Sequence, residues 1–220
     1  MKLTIFNGSP RGKKSNTSAL INPFVQGFTK NNDHTVEISY LVQTARVAEQ
    51  VALFGDAERV LIAFPLYTDA MPGIVKYFID ALEPLCHREK NTQLAFMVHS
   101  GFPEAIHSRF VERYLEKLTA RLGCDYTGTI VKPGSEGVRL MPPLMNKRLF
   151  ELLRSLGSFY AETDTFDPGL LKKMAPRETR SESNVRGYRA MDKLGLVNMY
   201  WDQMLKKNGV FEKRFDRPFA

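Results

Sequence analysis

Short apolar runs alternate along this chain with longer segments in which apolar residues recur every three or four positions. Residues 59–64 and 93–98 are almost continuously apolar, as expected of central parallel strands that are covered on both faces. Residues 35–41 alternate apolar and polar side chains, which indicates a half-buried strand. Residues 2–6 and 126–131 complete a set of five predicted strands.

The segments between the strands have helical periodicity. Pro72 stands where a first helical turn favours proline, and an apolar face follows it at Ile74, Val75, Phe78, Ile79 and Leu82. A later helix has apolar residues every four positions, at Ile106, Phe110, Tyr114, Leu118 and Leu122, and should end at Gly123. Residues 144–159 form a further predicted helix. Strands and helices in this alternation predict an α/β protein with a doubly wound five-stranded parallel sheet and helices on both faces.

Residues 166–220 extend beyond this pattern, so we divide the chain into a domain at 1–165 and a C-terminal helical extension at 166–220. The extension is too rich in apolar residues to remain in water. Six of them are predicted to share one helical face: Met191, Leu194, Val197, Trp201, Met204 and Leu205.

Composition limits the class of protein. The chain has 220 residues, of which 43% are hydrophobic and 25% charged, values typical of a globular protein in water. The longest apolar run is far too short to cross a bilayer, and a turn at Asn7 leaves no space for a signal peptide. The two cysteines, Cys86 and Cys124, support no disulfide framework, so we expect a cytoplasmic protein without a membrane partner.

The net charge of +7 lies mostly in the extension, where 12 Lys and Arg face 7 Asp and Glu. A basic surface of this kind attracts nucleic acid, but no nucleic-acid-binding motif accompanies it. We therefore expect no nucleic-acid partner, and the alternative interpretation of this charge is a solvated basic surface.

Three loops follow predicted strands at the carboxyl edge of the sheet, where ligands bind in such folds: residues 8–18, 65–72 and 99–103. The first is rich in glycine and hydroxyl residues, contains Arg11 and opens a helix, a combination suited to a phosphate group. It lacks both the Gly-Lys-Ser/Thr ending of a P-loop and a Gly-x-Gly-x-x-Gly motif. An ordinary βα turn is the alternative interpretation.

These motifs resemble those of flavodoxin-like NAD(P)H-dependent FMN reductases over about residues 1–165. Gly-Ser-Pro-Arg at 8–11 with Ser-Asn-Thr-Ser at 15–18 is similar to the family's phosphate loop. Pro-Leu-Tyr at 65–67, followed by Met-Pro at 71–72, is similar to its second signature, and His-Ser-Gly-Phe at 99–102 stands at the place of its third. The Thr-x-Thr-Gly-x-Thr loop of classical flavodoxins is absent, which favours reductases over electron carriers.

The resemblance implies FMN as cofactor, with NADH or NADPH as co-substrate. The implied phosphate ligands are Ser9, Arg11, Ser15, Asn16, Thr17 and Ser18. The implied contacts of the flavin ring are Pro65, Leu66, Tyr67, Thr68, His99, Ser100, Gly101 and Phe102. Because the cofactor carries the chemistry, no side chain is assigned as an obligate catalytic acid or base.

Several residues keep two interpretations. His99 is either a proton donor or a histidine that is hydrogen-bonded at a strand end, and Tyr67 either flanks the ring or is a rim aromatic. Residues 134–137 follow the fifth strand and either border the pocket or form a plain turn, which is the preferred interpretation. His87, His107 and the cysteines lack the spacing of metal ligands, so we expect no metal site and no iron–sulfur cluster.

The predicted activity is hydride transfer from a nicotinamide to bound FMN, and then electron transfer to a second acceptor. Quinones, nitro and azo compounds, free flavin and metal ions all remain open as that acceptor. Since reductases of this family commonly work as dimers, the extension is expected to pack on the core and to contribute to a homodimer. The alternative is that it packs only on its own chain. A flavodoxin-like electron carrier that does not oxidise NAD(P)H is the main alternative, and a nucleotide-binding protein without flavin is another.

Overall fold

The core of the protein is an all-parallel sheet. The computed structural model describes residues 1–30, 33–86 and 91–217. Its strands are β1 (Lys2–Asn7), β2 (Thr35–Tyr40), β3 (Arg59–Pro65), β4 (Gln93–His99) and β5 (Asp125–Lys132). They are ordered β2-β1-β3-β4-β5, and each neighbouring pair is parallel. This is the strand order of flavodoxin-like proteins, so the predicted doubly wound sheet is confirmed.

Helices connect the strands and continue after the last one. They are α1 (Asn16–Phe28), α2 (Val47–Asp56), α3 (Gly73–Ala81), α4 (Ile106–Arg121), α5 (Pro143–Thr163), α6 (Pro168–Met174), α7 (Glu182–Lys193) and α8 (Met199–Lys207). Short 3-10 turns lie at Thr44–Arg46, Glu83–Leu85 and Phe211–Lys213. Within the described ranges, no helix combines the length and apolar character that crossing a membrane requires.

Alternate residues of the central strands pack into two separate hydrophobic cores, one on each face of the sheet. On one face, Phe6, Ile62 and Phe96 pack with residues of α2, α3 and α4. On the other, Ile5 and Leu61 pack with residues of α1, α5 and α6. Because both faces of the sheet are covered, the sequences of the central strands are continuously apolar.

On the second face, α1 and α5 touch backbone to backbone. A Cβ added at Gly27 would lie 1.9 Å from the Arg154 carbonyl oxygen, and one at Gly157 would lie 2.0 Å from that of Phe24. No side chain fits at either position, so these glycines let α5 hold α1 against the sheet.

The chain divides into two compact units, Met1–Glu178 and Thr179–Ala220. The division lies beyond the 165/166 boundary drawn from the sequence. Phe166 and Met174 are only 6% and 3% exposed and belong to the second hydrophobic core. Residues 166–178 therefore complete the first unit.

The second unit consists of α7, α8 and the Phe211–Lys213 turn. The prediction of one continuous helical face is wrong, because α7 ends at Lys193. Gly195 has a φ of +70° and closes the helix, with its N–H donating to Asp192 and the N–H of Leu196 donating to Met191. Among the side chains described in this unit, none is buried.

Candidate functional site: a cleft at the carboxyl edge

The loops after β1, β3, β4 and β5 line one cleft that is open to solvent. Its lining residues are Ser9, Arg11, Asn16, Pro65, Leu66, Tyr67, His99, Ser100, Gly101, Ser135 and Glu136. Nine of these are residues that the sequence proposes as ligands. The other proposed residues lie behind or beside the wall: Ser15, Thr17, Ser18, Thr68 and Phe102.

The loop after β1 is held by its own backbone and by Asn7. The Ser9 N–H donates to Asn7 Oδ1 (3.0 Å), while Asn7 Nδ2 donates to Ser18 Oγ (2.9 Å). Gly8 sits so close to α3 that an added Cβ would lie 2.3 Å from Val75 Cγ2. The Asn7–Ser18 hydrogen bond thus ties the loop to the first turn of α1, and the contact at Gly8 packs it against α3.

The hydroxyls at the start of α1 are used within the loop. Ser15 caps the helix by accepting from the Ser18 N–H (3.1 Å) and donates to the Gly12 carbonyl (2.7 Å). Ser18 Oγ donates to the same carbonyl (3.2 Å). The N–H groups of Asn16 and Thr17 have no acceptor in the part of the chain that the structure describes. They are unpaired donors at the positive end of a helix; Asn16 lines the cleft, and Thr17 is buried directly behind it.

Ser9 and Arg11 add donors to this corner of the cleft. Ser9 Oγ accepts from the Arg11 N–H (3.3 Å), and no acceptor for its own proton is found among the described residues. The Arg11 guanidinium is exposed and forms no ion pair within those residues. This corner therefore offers two amides, a hydroxyl and a positive charge, a donor set that suits an anion.

His99, the last residue of β4, connects the first turn of α1 to the loop after β5. Its Nε2 lies 2.8 Å from Thr17 Oγ1 and its Nδ1 lies 2.8 Å from Ser135 Oγ. Ser135 Oγ also donates to the Ser100 carbonyl (3.0 Å). Both ring nitrogens have partners, and the residue is 4% exposed.

Burial lowers the pKa of His99 to about 3, and the positive charge of Lys132 adds to the effect. The ring is therefore neutral at physiological pH. Of its two interpretations, the structure favours the histidine that is hydrogen-bonded at a strand end. Burial also lowers the pKa of Lys132 itself.

The loop after β3 forms a tight hairpin at the rim. The N–H of Leu66 donates to the His99 carbonyl (2.7 Å), and Tyr67 pairs with Ala70 through bonds of 2.9 and 3.2 Å. Thr68 and Asp69 form the tip, each with a φ of +45°. Pro65 and Leu66 thus form part of the wall, while Tyr67 is 49% exposed beside it.

The loop after β4 faces this hairpin. Ser100 and Gly101 line the cleft, and Phe102 turns away to stack on His107, with ring centroids 4.2 Å apart and an interplanar angle of 23°. His107 Nδ1 lies 3.2 Å from Asp69 Oδ1. The Asp69–His107–Phe102 contact joins the hairpin tip to the loop after β4 at the rim.

Ser135 and Glu136 were not among the proposed ligands, because a plain turn was preferred for residues 134–137 to a segment that borders the pocket. Both line the cleft, and the Glu136 carbonyl accepts from Asn16 Nδ2 (2.9 Å). Their position directly after β5 was the available signal, since this loop opens at the same edge as the other three.

Within the ranges described, no group of three or more His, Cys, Asp or Glu side chains is arranged to hold a metal ion. His87, one of the histidines considered above, lies outside the described residues.

Comparison with known families gives one match, over residues 1–134, to the Flavodoxin_2 family, which is described by its flavodoxin-like fold. No curated protein matches the sequence.

Solved structures with the same fold have low sequence identity to this chain. An FMN-dependent NADH-azoreductase from Bacillus anthracis, solved in complex with FMN, is 16% identical with a TM-score of 0.56, covering 73% of this chain and 99% of its own. An NADPH-quinone reductase from P. pentosaceus is 17% identical with a TM-score of 0.52, covering 70% and 96%. An NAD(P)H:quinone oxidoreductase from Methanothermobacter marburgensis is 14% identical with a TM-score of 0.52, covering 72% and 96%.

Proposed function

The chain belongs to the Flavodoxin_2 family, and on that premise we propose that it is an FMN-dependent NAD(P)H oxidoreductase. One observation carries the proposal. Ser9, Arg11 and Asn16, before and at the start of α1, line a single cleft together with the Pro65–Tyr67 and His99–Gly101 segments. The neighbours of known structure are described as azoreductases and quinone reductases, which agrees with this activity.

The donor set at the start of α1 fits the FMN phosphate. We assign the phosphate to Ser9 Oγ, the Arg11 guanidinium and the amides of Asn16 and Thr17. Charge-assisted hydrogen bonds of this type contribute about 1.5–3 kcal/mol each. Ser15, Thr17 and Ser18 act through their side chains in a different way, since their hydroxyls hold the loop in shape.

The opposite part of the cleft fits a planar ring. Pro65, Leu66 and Tyr67 form one wall, and Ser100 and Gly101 form the other. We place Thr68 and Phe102 at the rim, where they position these walls. FMN, when bound, supplies the capacity to accept a hydride and to pass electrons on one or two at a time.

The side chains of this chain bind, orient and exclude water, and we assign none as an acid or base. His99 is neutral, and both of its nitrogens are already hydrogen-bonded. A proton needed by a reduced acceptor therefore comes from solvent through the open side of the cleft. A nicotinamide and then a small-molecule acceptor enter by the same side. The acceptor is a quinone, a nitro or azo compound, a flavin or a metal ion.

We propose further that the protein is a cytoplasmic homodimer to which the second unit contributes. Large apolar side chains of this unit are exposed, including Leu194 (72%), Trp201 (55%) and Phe215 (80%). Surface of this kind is stabilised by an apolar partner, and a second copy of the chain supplies one. Sedimentation of the full chain should give a dimer that the Leu194→Ser/Phe215→Ser variant weakens. A monomeric wild-type protein, or an unchanged dimer in the variant, would refute the role of this unit.

Absorption spectra of the purified protein test the central proposal. We expect one non-covalent FMN per chain and rapid bleaching when NADH or NADPH is added without oxygen. Bound FMN that neither nicotinamide reduces within minutes would identify an electron carrier instead. A protein that binds no FMN would be a nucleotide-binding protein of another kind.

A further inference from the structure

His99 stands at the centre of a buried chain of hydrogen bonds that runs across the floor of the cleft. Thr17, His99, Ser135 and Ser100 are 0%, 4%, 2% and 2% exposed. The chain joins the first turn of α1, the end of β4 and the loop after β5. All three elements contribute residues to the cleft.

Only one arrangement gives every side-chain proton in this chain of hydrogen bonds an acceptor among the described residues. In it, Thr17 Oγ1 donates to His99 Nε2 (2.8 Å), and His99 Nδ1 donates to Ser135 Oγ (2.8 Å). Ser135 Oγ then donates to the Ser100 carbonyl (3.0 Å), and His99 Nε2 is the unprotonated nitrogen.

The other neutral tautomer does not fit this arrangement. With the proton on Nε2, Ser135 Oγ would donate to Nδ1 and Nε2 would donate to Thr17 Oγ1. The buried Thr17 hydroxyl would then have no acceptor for its own proton among the described residues. An imidazolium would meet the same buried surroundings with an added charge, beside the positive Lys132. A chain in which all protons point the same way also strengthens each member, since hydrogen bonds in series polarise one another.

The two ends of this chain lie where the cleft's ligands would be held. Thr17 carries one of the two open amides at the start of α1. Ser135 precedes Glu136, whose carbonyl accepts from Asn16 Nδ2 (2.9 Å). Fixing the imidazole thus fixes the rotation of the first turn of α1 relative to the loop after β5.

We propose that His99 is a positioning residue, held as the Nδ1–H tautomer, which couples the start of α1 to the loop after β5 so that both sides of the cleft are preorganised together. The effect on FMN rests on the proposed function. The tautomer and the hydrogen bonds are properties of the protein alone, and they are measured without the cofactor.

The first experiment is nitrogen-15 NMR of the His99 imidazole in the full chain without FMN. We expect a protonated Nδ1 and an unprotonated Nε2 at neutral pH. Thr17→Val should keep this tautomer, whereas Ser135→Ala removes the acceptor of Nδ1–H and should populate the Nε2–H form. An Nε2–H or charged imidazole in the wild type, or no response to Ser135→Ala, would overturn the proposal.

The second experiment is a double-mutant cycle on FMN affinity. Thr17→Val and Ser135→Ala should each weaken FMN binding about tenfold, and the double variant should lose much less than the product of the two. In a His99→Asn background, where the link between them is cut, the two effects should become independent. Thr17→Ser keeps the hydroxyl and should restore most of the affinity lost in Thr17→Val.

The outcomes separate this inference from the proposed function. Additive effects of Thr17→Val and Ser135→Ala in a protein that binds FMN would refute the coupling and leave the function standing. A wild-type protein that binds no FMN would refute the function, and the NMR result would still decide the role of His99.

Discussion

At the floor of the cleft, Thr17, His99 and Ser135 are 0–4% exposed, whereas Tyr67 and Phe102 at its rim are 49% and 40% exposed. The floor is joined by directed hydrogen bonds of 2.8–3.0 Å between neutral groups. The rim is joined by a partly exposed contact between His107 and Asp69 and by a hairpin tip with two residues at positive φ.

Under the proposed function, the difference between the two regions corresponds to two tasks of one site. A cofactor that stays bound gains most from groups that are fixed before it arrives, because little ordering is then lost on binding. Co-substrates that enter and leave in turn need a rim that opens at little cost. The floor therefore suits FMN, and the rim suits the nicotinamide and the acceptor.

The comparison of floor and rim predicts its largest difference in stability between His99→Leu at the floor and His107→Leu at the rim. His99→Leu leaves the Thr17 hydroxyl and Ser135 Oγ without their buried partner, which should lower the free energy of unfolding by about 2–5 kcal/mol. His107→Leu breaks a contact that is largely open to solvent and should cost about 1 kcal/mol or less. Urea denaturation of the protein without cofactor measures both. Similar losses in the two variants would show that floor and rim do not differ in this way.

Acid should destabilise the floor through His99. Its pKa is about 3 in the folded protein against 6.5 in the unfolded chain, so between these values the unfolded chain binds more protons. Stability therefore rises with pH in this window and falls by about 1.4 kcal/mol for each unit below 6.5. The carboxyl group of Asp164 is protonated only at a lower pH than an ordinary aspartate, because its hydrogen bonds to Arg59 lower its pKa.

His99→Gln is the matched control for this acid effect. The other histidines and the carboxyl groups are common to both proteins, so the difference between the two pH profiles isolates His99. Parallel profiles from pH 7 to pH 4.5 would show that His99 is not held neutral.

Sequence patterns predicted the sheet well because both faces of each central strand are buried, so that burial follows directly from the run of apolar residues. They located the cleft because parallel strands end at one edge. They did not show how the hydroxyls of Ser15, Thr17 and Ser18 are used within the protein, where Ser15 and Ser18 donate to the Gly12 carbonyl and Thr17 Oγ1 lies 2.8 Å from His99 Nε2. Proton direction depends on contacts between residues far apart in the chain, such as Thr17 and His99, and local sequence does not encode it.

Replacement of Arg11 tests whether the donors near the start of α1 hold the phosphate of FMN rather than its ring. Arg11→Ala removes one charge-assisted contact and should weaken FMN binding 10- to 100-fold, or about 1.4–2.7 kcal/mol. Riboflavin, which lacks the phosphate, should bind almost equally well to both proteins. Lys14→Ala is the matched control, since Lys14 is an exposed cation of the same loop. Equal losses of FMN and riboflavin affinity would remove Arg11 from the phosphate site.

The smallest effect is expected at the hairpin tip. Thr68 has a φ of +45°, in the left-handed region that β-branched residues disfavour and asparagine tolerates. Two-residue hairpin turns of this kind favour asparagine, so Thr68→Asn should raise the free energy of unfolding by about 0.5–1 kcal/mol. Thr44→Asn, at an exposed position outside the left-handed region, should bring no such gain. If Thr68→Asn instead lowered stability, the contacts of the threonine side chain would outweigh the backbone strain, and the rim would be more tightly built than its exposure indicates.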